Sequence, residues 1–348
     1  MKTIYKTILT LAIIGIASVS QATVITVSNN PITAGQYTNL QTAINASTNG
    51  DTIYVHGSPT SYGDITVDKK LCFIGAGYAV TGTQNNVSSY LGNIYLSNNV
   101  VFVTNAASSS FIGLDIYNLN AGGTNYASIY VSRCRFTYMS IYNNGWIVEN
   151  CIFYEITLQY SPVSNCLIRN NFVVNSGYIS GASSSYNQSG LIVDHNVIDG
   201  LLYNFSNAIF SNNVFFYSNI SAWSSVNNCT FTNNITASSI SNTLPYGTNS
   251  GGGNMNNVSF AALFVGVMST PQGYPAMLSL DWHLKTTCVG HNGGSDGADV
   301  GMYGGTYAMP NLTGASSIIP QMTLMNINNV SIPVNGTLNV RFKAKKQN

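Results

Sequence analysis

Residues 193–198 read VDHNVI, and the same short pattern returns along the middle of the chain. VSRCRF (131–136), VENCIF (148–153), IRNNFV (168–173), FSNNVF (210–215) and VNNCTF (226–231) share it: apolar, two mostly polar residues, Cys or Asn, any residue, apolar. Subtracting successive fourth positions (Cys134, Cys151, Asn171, Asn196, Asn213, Cys229) gives steps of about 17, 20, 25, 17 and 16 residues. FIGLDI (111–116) reads as an earlier, degraded copy. A second short strand-like run follows each copy, as in MSIYNN, ITLQYS, GYIS, LLYN and NIS. Such a step is too short for a crossover helix. The pattern predicts a coil whose successive turns pair as parallel strands about 4.8 Å apart.

In that coil, Val131, Val148, Ile168, Val193, Phe210 and Val226 are expected to stack inside, as are Phe136, Phe153, Val173, Ile198, Phe215 and Phe231. The Asn/Cys position is expected at a sharp turn, because Asn tolerates left-handed backbone angles. Stacked Asn amides then form a ladder that satisfies itself. Cys is small and stable when buried, so it suits the same slot. Cys134 and Cys151 would lie near enough for a disulfide by Cα spacing alone, but stacked parallel side chains rarely offer the required torsion, so thiols are expected.

The flanks carry a family resemblance. YTNLQTAINASTNGDTIYVHGSPTSYGDITVDKKLCFIGAGY (37–78) closely resembles the N-terminal segment of secreted right-handed parallel β-helix proteins of the pectate-lyase-like superfamily. The resemblance implies an amphipathic capping helix carrying Leu40 and Ile44, a Gly50–Ile53 turn into the first strand, and LCFIGAGY as the first full coil. VHGSPTSY stands where that superfamily more often has Pro-Gly-x-Tyr. DWHLKTTCVGHNGGSDGADVGMYGG (281–305) resembles the closing segment of bacterial members. The expected fold is an all-β, single-stranded right-handed parallel β-helix with an N-terminal helical cap and a short C-terminal β tail. Its expected divisions are a signal peptide (1–22), a cap and opening segment (23–70), coils (71–265), a closing coil with cap loops (266–310), and a tail (311–348) pairing around Asn335-Gly336.

Lys2 and Lys6, the run ILTLAIIGIA and Ser20-Gln21-Ala22 form the three parts of a secretory signal, which places the expected product outside the cell, at its surface or in the periplasm. The apolar run is too short to span a bilayer comfortably, and no second long one follows. A formal net charge of +1 argues against a nucleic-acid partner. The six Cys show no metal-ligand spacing, so no zinc site or other cofactor is expected. GGSDGADVG (293–301) invites calcium but lacks the EF-hand spacing and reads better as a capping loop.

Only 7% of residues are charged, yet aligning the coils gathers Glu149, Arg169 and Asp194 into one column, with Arg133 and His195 beside it. One reading is a catalytic patch for an acidic glycan. Its carboxylates would lie two strand spacings, roughly 9–10 Å, apart, near the upper edge of the range of about 6.5–9.5 Å for an inverting glycosidase. His195 would move a proton near neutral pH. The other reading is a cross-strand charge ladder. The catalytic strings of the superfamily's pectate lyases and polygalacturonases do not occur, which favours the ladder. Asp199, in Asp-Gly, reads as a turn residue.

The 22 Tyr are the broader signal. Tyr130, Tyr138, Tyr142, Tyr160, Tyr178 and Tyr203 recur near strand ends, and aromatic faces suit the apolar faces of sugars. Tyr142, Tyr160, Tyr178 and Tyr203, with Arg133, are the expected glycan contacts on a non-catalytic surface or matrix protein. An outward Tyr stripe serves lateral self-association equally well. A polysaccharide lyase or glycoside hydrolase using Glu149, Arg169, Asp194 and His195 is the alternative.

Overall fold

The computed structural model describes residues 22–31, 33–78, 95–96, 100–102, 106–120, 127–159, 164–183, 185–216, 224–238, 243–266, 280–310, 312, 321–327 and 340–345. For 95–96, 100–102, 321–327 and 340–345 the description is of the backbone. The signal segment 1–21, Tyr160 and the Asn335-Gly336 turn lie outside the described residues.

The chain is a parallel β-solenoid of about 8 turns. Successive turns lay their strands into a 10-stranded sheet and an 11-stranded sheet. Val131, Val148, Ile168, Val193 and Phe210 lie in register in the first sheet, and Phe136, Phe153, Val173, Ile198 and Phe215 in the second. All ten are buried between the sheets. The coil spacing sets how their rings meet: Phe136–Phe153 and Phe210–Phe231 stack nearly parallel, with centroids 4.9 and 4.8 Å apart.

The sixth copy is displaced. Phe231, not Val226, continues the first inner column, and Thr236, not Phe231, continues the second. Asn234 therefore takes the ladder place expected of Cys229. The cause is that both corners flanking the first sheet use the same local chemistry. At the corner leaving that sheet, a left-handed residue (Arg133, Asn150, Asn170, His195, Asn212 or Asn233, φ 51–55°) precedes the ladder residue. At the corner entering it, Asn165, Asn207 and Asn228 are left-handed too, each before a buried small residue. VNNCTF copies the motif at the wrong corner. The left-handed position is also one residue earlier than expected. The ladder residue itself keeps ordinary angles and turns its side chain inward.

The ladder runs through Asn171, Asn196, Asn213, Asn234 and Asn254. Each Oδ1 accepts the backbone N–H of the preceding coil's ladder residue at 2.9–3.1 Å. Each Nδ2 donates inward, to Val148, Ile168, Val193, Phe210 and Phe231 carbonyls respectively. Cys134 and Cys151 occupy the two earlier rungs as free, buried thiols.

The stack starts before the expected boundary at residue 71, since Val24–Val27 and Thr52–Val55 are already coil strands. Helix Leu40–Ala46 buries Leu40, Ala43 and Ile44 against the first strands. The Asn39 side chain accepts the Thr42 N–H at 2.9 Å and caps it. The tail strands Gln321–Ile327 and Val340–Lys345 pair antiparallel.

A second core lies outside the coil. Ile152, Phe172, Val197, Val214 and Ile235 form one outward column of the second sheet. They are buried with Phe264, Trp282, Leu284, Val300 and Met302. The closing segment thus folds back along the outside of the solenoid.

Candidate functional site

The charged column exists as aligned. Ser132, Glu149, Arg169, Asp194 and Ser211 are register partners on five neighbouring strands. Arg169 Nη2 and Nε donate to Glu149 Oε2 at 2.6 and 2.8 Å, and the Tyr130 hydroxyl bonds Glu149 Oε1. Burial first, and then the adjacent carboxylate, push the Tyr130 hydroxyl above its ordinary pKa. Asp194 Oδ1 accepts from Ser211 Oγ at 2.6 Å and Asn212 Nδ2 at 3.0 Å, while Oδ2 meets His195 Nδ1 at 2.9 Å. Burial raises the Asp194 pKa, but these bonds outweigh it and leave the carboxyl below its usual range.

The closing segment roofs this column, using the left-handed corner residues as its docking points. Asn170 Nδ2 donates to the Met302 and Gly304 carbonyls at 3.1 and 2.8 Å. Asn212 exchanges bonds with Ser295 at 3.0 and 2.8 Å, and Asn233 Nδ2 donates to the Gly293 carbonyl at 3.1 Å. The Tyr307 ring lies 3.1 Å below the Arg169 guanidinium. His195 Nε2 stands 3.6 Å from Asp296 Oδ2. Glu149 is 6% exposed and His195 3%. A glycosidase pair needs an acid and a base facing one substrate. Here each carboxylate is engaged by neighbouring side chains, and the closing segment packs on Arg169 and His195 beside them. These bonds pair the charged groups beside the corners on which the closing segment docks.

The loop that invites calcium turns its carboxylates on itself: Asp296 Oδ1 accepts from Ala298 N–H at 3.1 Å, and Asp299 Oδ1 from Asn292 N–H at 2.8 Å. Among the described residues, no three His, Cys, Asp or Glu side chains gather as metal ligands.

The tyrosines make a different surface. On the second sheet, Tyr117, Tyr138, Tyr154, Tyr178 and Tyr203 follow one another across five strands, centroids 5.6, 6.1, 6.3 and 5.2 Å apart. The first three contacts are edge-to-face and the last is tilted. Tyr117 is exposed and the other four are half-buried. Glu155 is the register partner of Tyr138 on one side and Tyr178 on the other. Of the expected contacts, Tyr178 and Tyr203 belong to the stripe. Tyr142 instead packs against the inner core, and Arg133 sits at the corner beside Glu149. Glu155, Tyr117 and Tyr154 were not singled out in the sequence. The sequence signal for them is one Tyr in the second strand of each of five successive coils.

No protein-family model matches the chain, and no curated protein matches it. Mostly parallel strands, few helices and stacked turns define the class to which it belongs, the all-β parallel β-helices. Among the described residues, no helix is long and apolar enough to cross a membrane.

Proposed function

We propose that this is an exported, non-catalytic β-helix protein, extracellular, at the cell surface or periplasmic, that binds a polysaccharide along its tyrosine stripe. We place it near the pectate-lyase-like superfamily on its N-terminal and closing segments. The observation that carries the binding reading is the five-ring stripe. Five coils span four strand spacings, about 19 Å, so the rings track a linear chain rather than a single sugar. Aromatic bodies cover apolar sugar faces while the phenol tips stay wet. The engaged, roofed state of Glu149 and Asp194 favours binding without turnover.

Affinity electrophoresis against neutral, amino-sugar and uronate polysaccharides tests this, alongside assays for unsaturated or reducing ends. Retardation without product, lost in Tyr138→Ala/Tyr178→Ala, is the expected result. Turnover abolished by Glu149→Gln or Asp194→Asn in folded protein would establish the lyase or hydrolase reading instead.

Lateral self-association is a second reading, favoured by an apolar column on the first sheet. Ile147, Leu167, Ile192 and Ile209 are register partners facing outward, with Ile192 and Ile209 37% and 38% exposed. Sedimentation of wild type against Ile192→Lys decides it: a concentration-dependent dimer lost in the variant is expected on this reading.

A further inference from the structure

The charge inside the stripe points to the class of its ligand. The other described carboxylates of the two solenoid sheets meet basic side chains or backbone amides. Asp115 pairs with Arg135, Glu149 with Arg169, Asp194 with His195, and Asp199 takes backbone N–H groups. Glu155 is different. Its Oε1 accepts from Thr157 Oγ1 at 2.9 Å, and the Tyr178 hydroxyl donates to the same carboxylate. No Lys, Arg or His among the described residues lies within ion-pair distance of it. Burial, Glu155 and Tyr203 all push the Tyr178 hydroxyl upward, so it stays a neutral phenol and a donor.

One anionic charge is therefore held half-buried between the rings of Tyr138, Tyr154 and Tyr178, whose electron-rich faces also attract cations. Such a site repels uronates and favours an ammonium group carried on a ring with an apolar face. We propose that the tyrosine stripe binds a linear polymer of amino sugars bearing free ammonium groups, with Glu155 receiving one ammonium and the flanking tyrosines stacking the neighbouring rings. This rests on the glycan-binding reading of the stripe. Extended β-linked pyranose chains advance by about one coil spacing per sugar, so successive rings meet successive coils.

Calorimetry with the full chain tests it, using glucosamine hexamer, its fully N-acetylated counterpart, a galacturonate hexamer and hexalysine. The expected result is glucosamine hexamer at least ten-fold tighter than the acetylated hexamer, and galacturonate weakest. Glu155→Gln should bring that ratio within two-fold. A salt series on wild type needs no variant. Raising salt from 50 to 500 mM should weaken the glucosamine hexamer several-fold and the acetylated hexamer not at all. Equal affinity for both hexamers, or preference for galacturonate, would overturn the amino-sugar assignment but leave glycan binding standing. Hexalysine binding as tightly as glucosamine hexamer would overturn the sugar specificity. Binding of no saccharide at all would remove the underlying reading.

Discussion

Asn196→Ala is the sharpest test of how the coils are held. Asn196 is fully buried. Its Oδ1 accepts from the backbone N–H and Nδ2 of Asn171 at 2.9 and 3.0 Å, and its Nδ2 donates to the Ile168 carbonyl and to Asn213 Oδ1, both at 2.9 Å. Truncation leaves the Asn171 backbone N–H buried without an acceptor, at about 1–3 kcal/mol. The other groups retain second partners, since Asn171 Nδ2 still reaches Val148 and Asn213 Oδ1 still receives the backbone N–H of residue 196. Their loss costs about 1 kcal/mol for each bond. The sum, about 4–6 kcal/mol, is a large part of the usual stability of about 5–15 kcal/mol.

Asn196→Cys should cost about half as much, because the chain already uses that solution: Cys151 Sγ receives the Cys134 N–H at 3.4 Å. Urea unfolding followed by tryptophan fluorescence gives the readout, with Trp146 reporting the inner core and Trp282 the outer one. A loss of 3 kcal/mol lowers the midpoint by about 1 M at a slope of about 3 kcal/mol/M. An alanine variant within about 0.2 M of wild type, or a cysteine variant less stable than alanine, would refute the ladder's role.

Asp199 is 3% exposed, its Oδ1 has no hydrogen-bond partner among the described residues, and burial raises its pKa to about 6. The folded state holds the proton more tightly than the unfolded state, so stability falls as pH rises from about 4 to 6, by about 3 kcal/mol. Asp199→Asn should be more stable than wild type at pH 7 and equal below pH 4; a pH-independent gap in urea midpoint would contradict this. Glu149→Ala should cost about 3 kcal/mol by leaving Arg169 partly buried without its carboxylate, while Glu149→Leu/Arg169→Met should lie within about 1 kcal/mol of wild type. An alanine variant as stable as wild type in the same assay would count against the ion pair as a structural element. A Cβ on Gly304 would sit 1.6 Å from the Asp299 carbonyl and 2.8 Å from the His195 ring. Gly304→Ala should therefore lift the closing segment, and limited trypsin digestion should cut after Lys285 at least ten-fold faster; unchanged digestion would show the segment held by other contacts.

Much of the fold was legible because a solenoid repeats its instructions. The inner columns from Val131 to Phe210 and the ladder from Cys134 to Asn213 follow from one six-residue pattern. The same redundancy misled at VNNCTF, where a left-handed Asn before a small buried residue serves either corner. The alignment of Glu149, Arg169 and Asp194 was legible for the same reason. Their roof was not, because Tyr307 and Gly304 are remote in sequence and carry no pattern that names their partners. The tyrosine stripe was visible only as an excess of Tyr. Register shifts between Phe153 and Glu155, and between Val173 and Gly177, move Tyr154 and Tyr178 out of simple alignment, so side-chain contact had to reveal it.

The fold-back of the closing segment carries a consequence for how the chain is made. During synthesis from the N-terminus, each coil can dock on its predecessor as soon as it emerges. The strip from Ile152 to Ile235 takes most of its cover from residues that follow it, Leu263, Phe264 and the closing segment. Asn170 meets Met302 and Gly304 across 132 and 134 residues, so this strip stays wet until nearly the whole chain is available. Slow, long-range closure over exposed apolar surface is where aggregation competes with folding. A chain that stalls before residue 281 would keep a well-formed spiral and lose its solubility, which makes the last contacts to form the ones that decide whether the nascent protein survives.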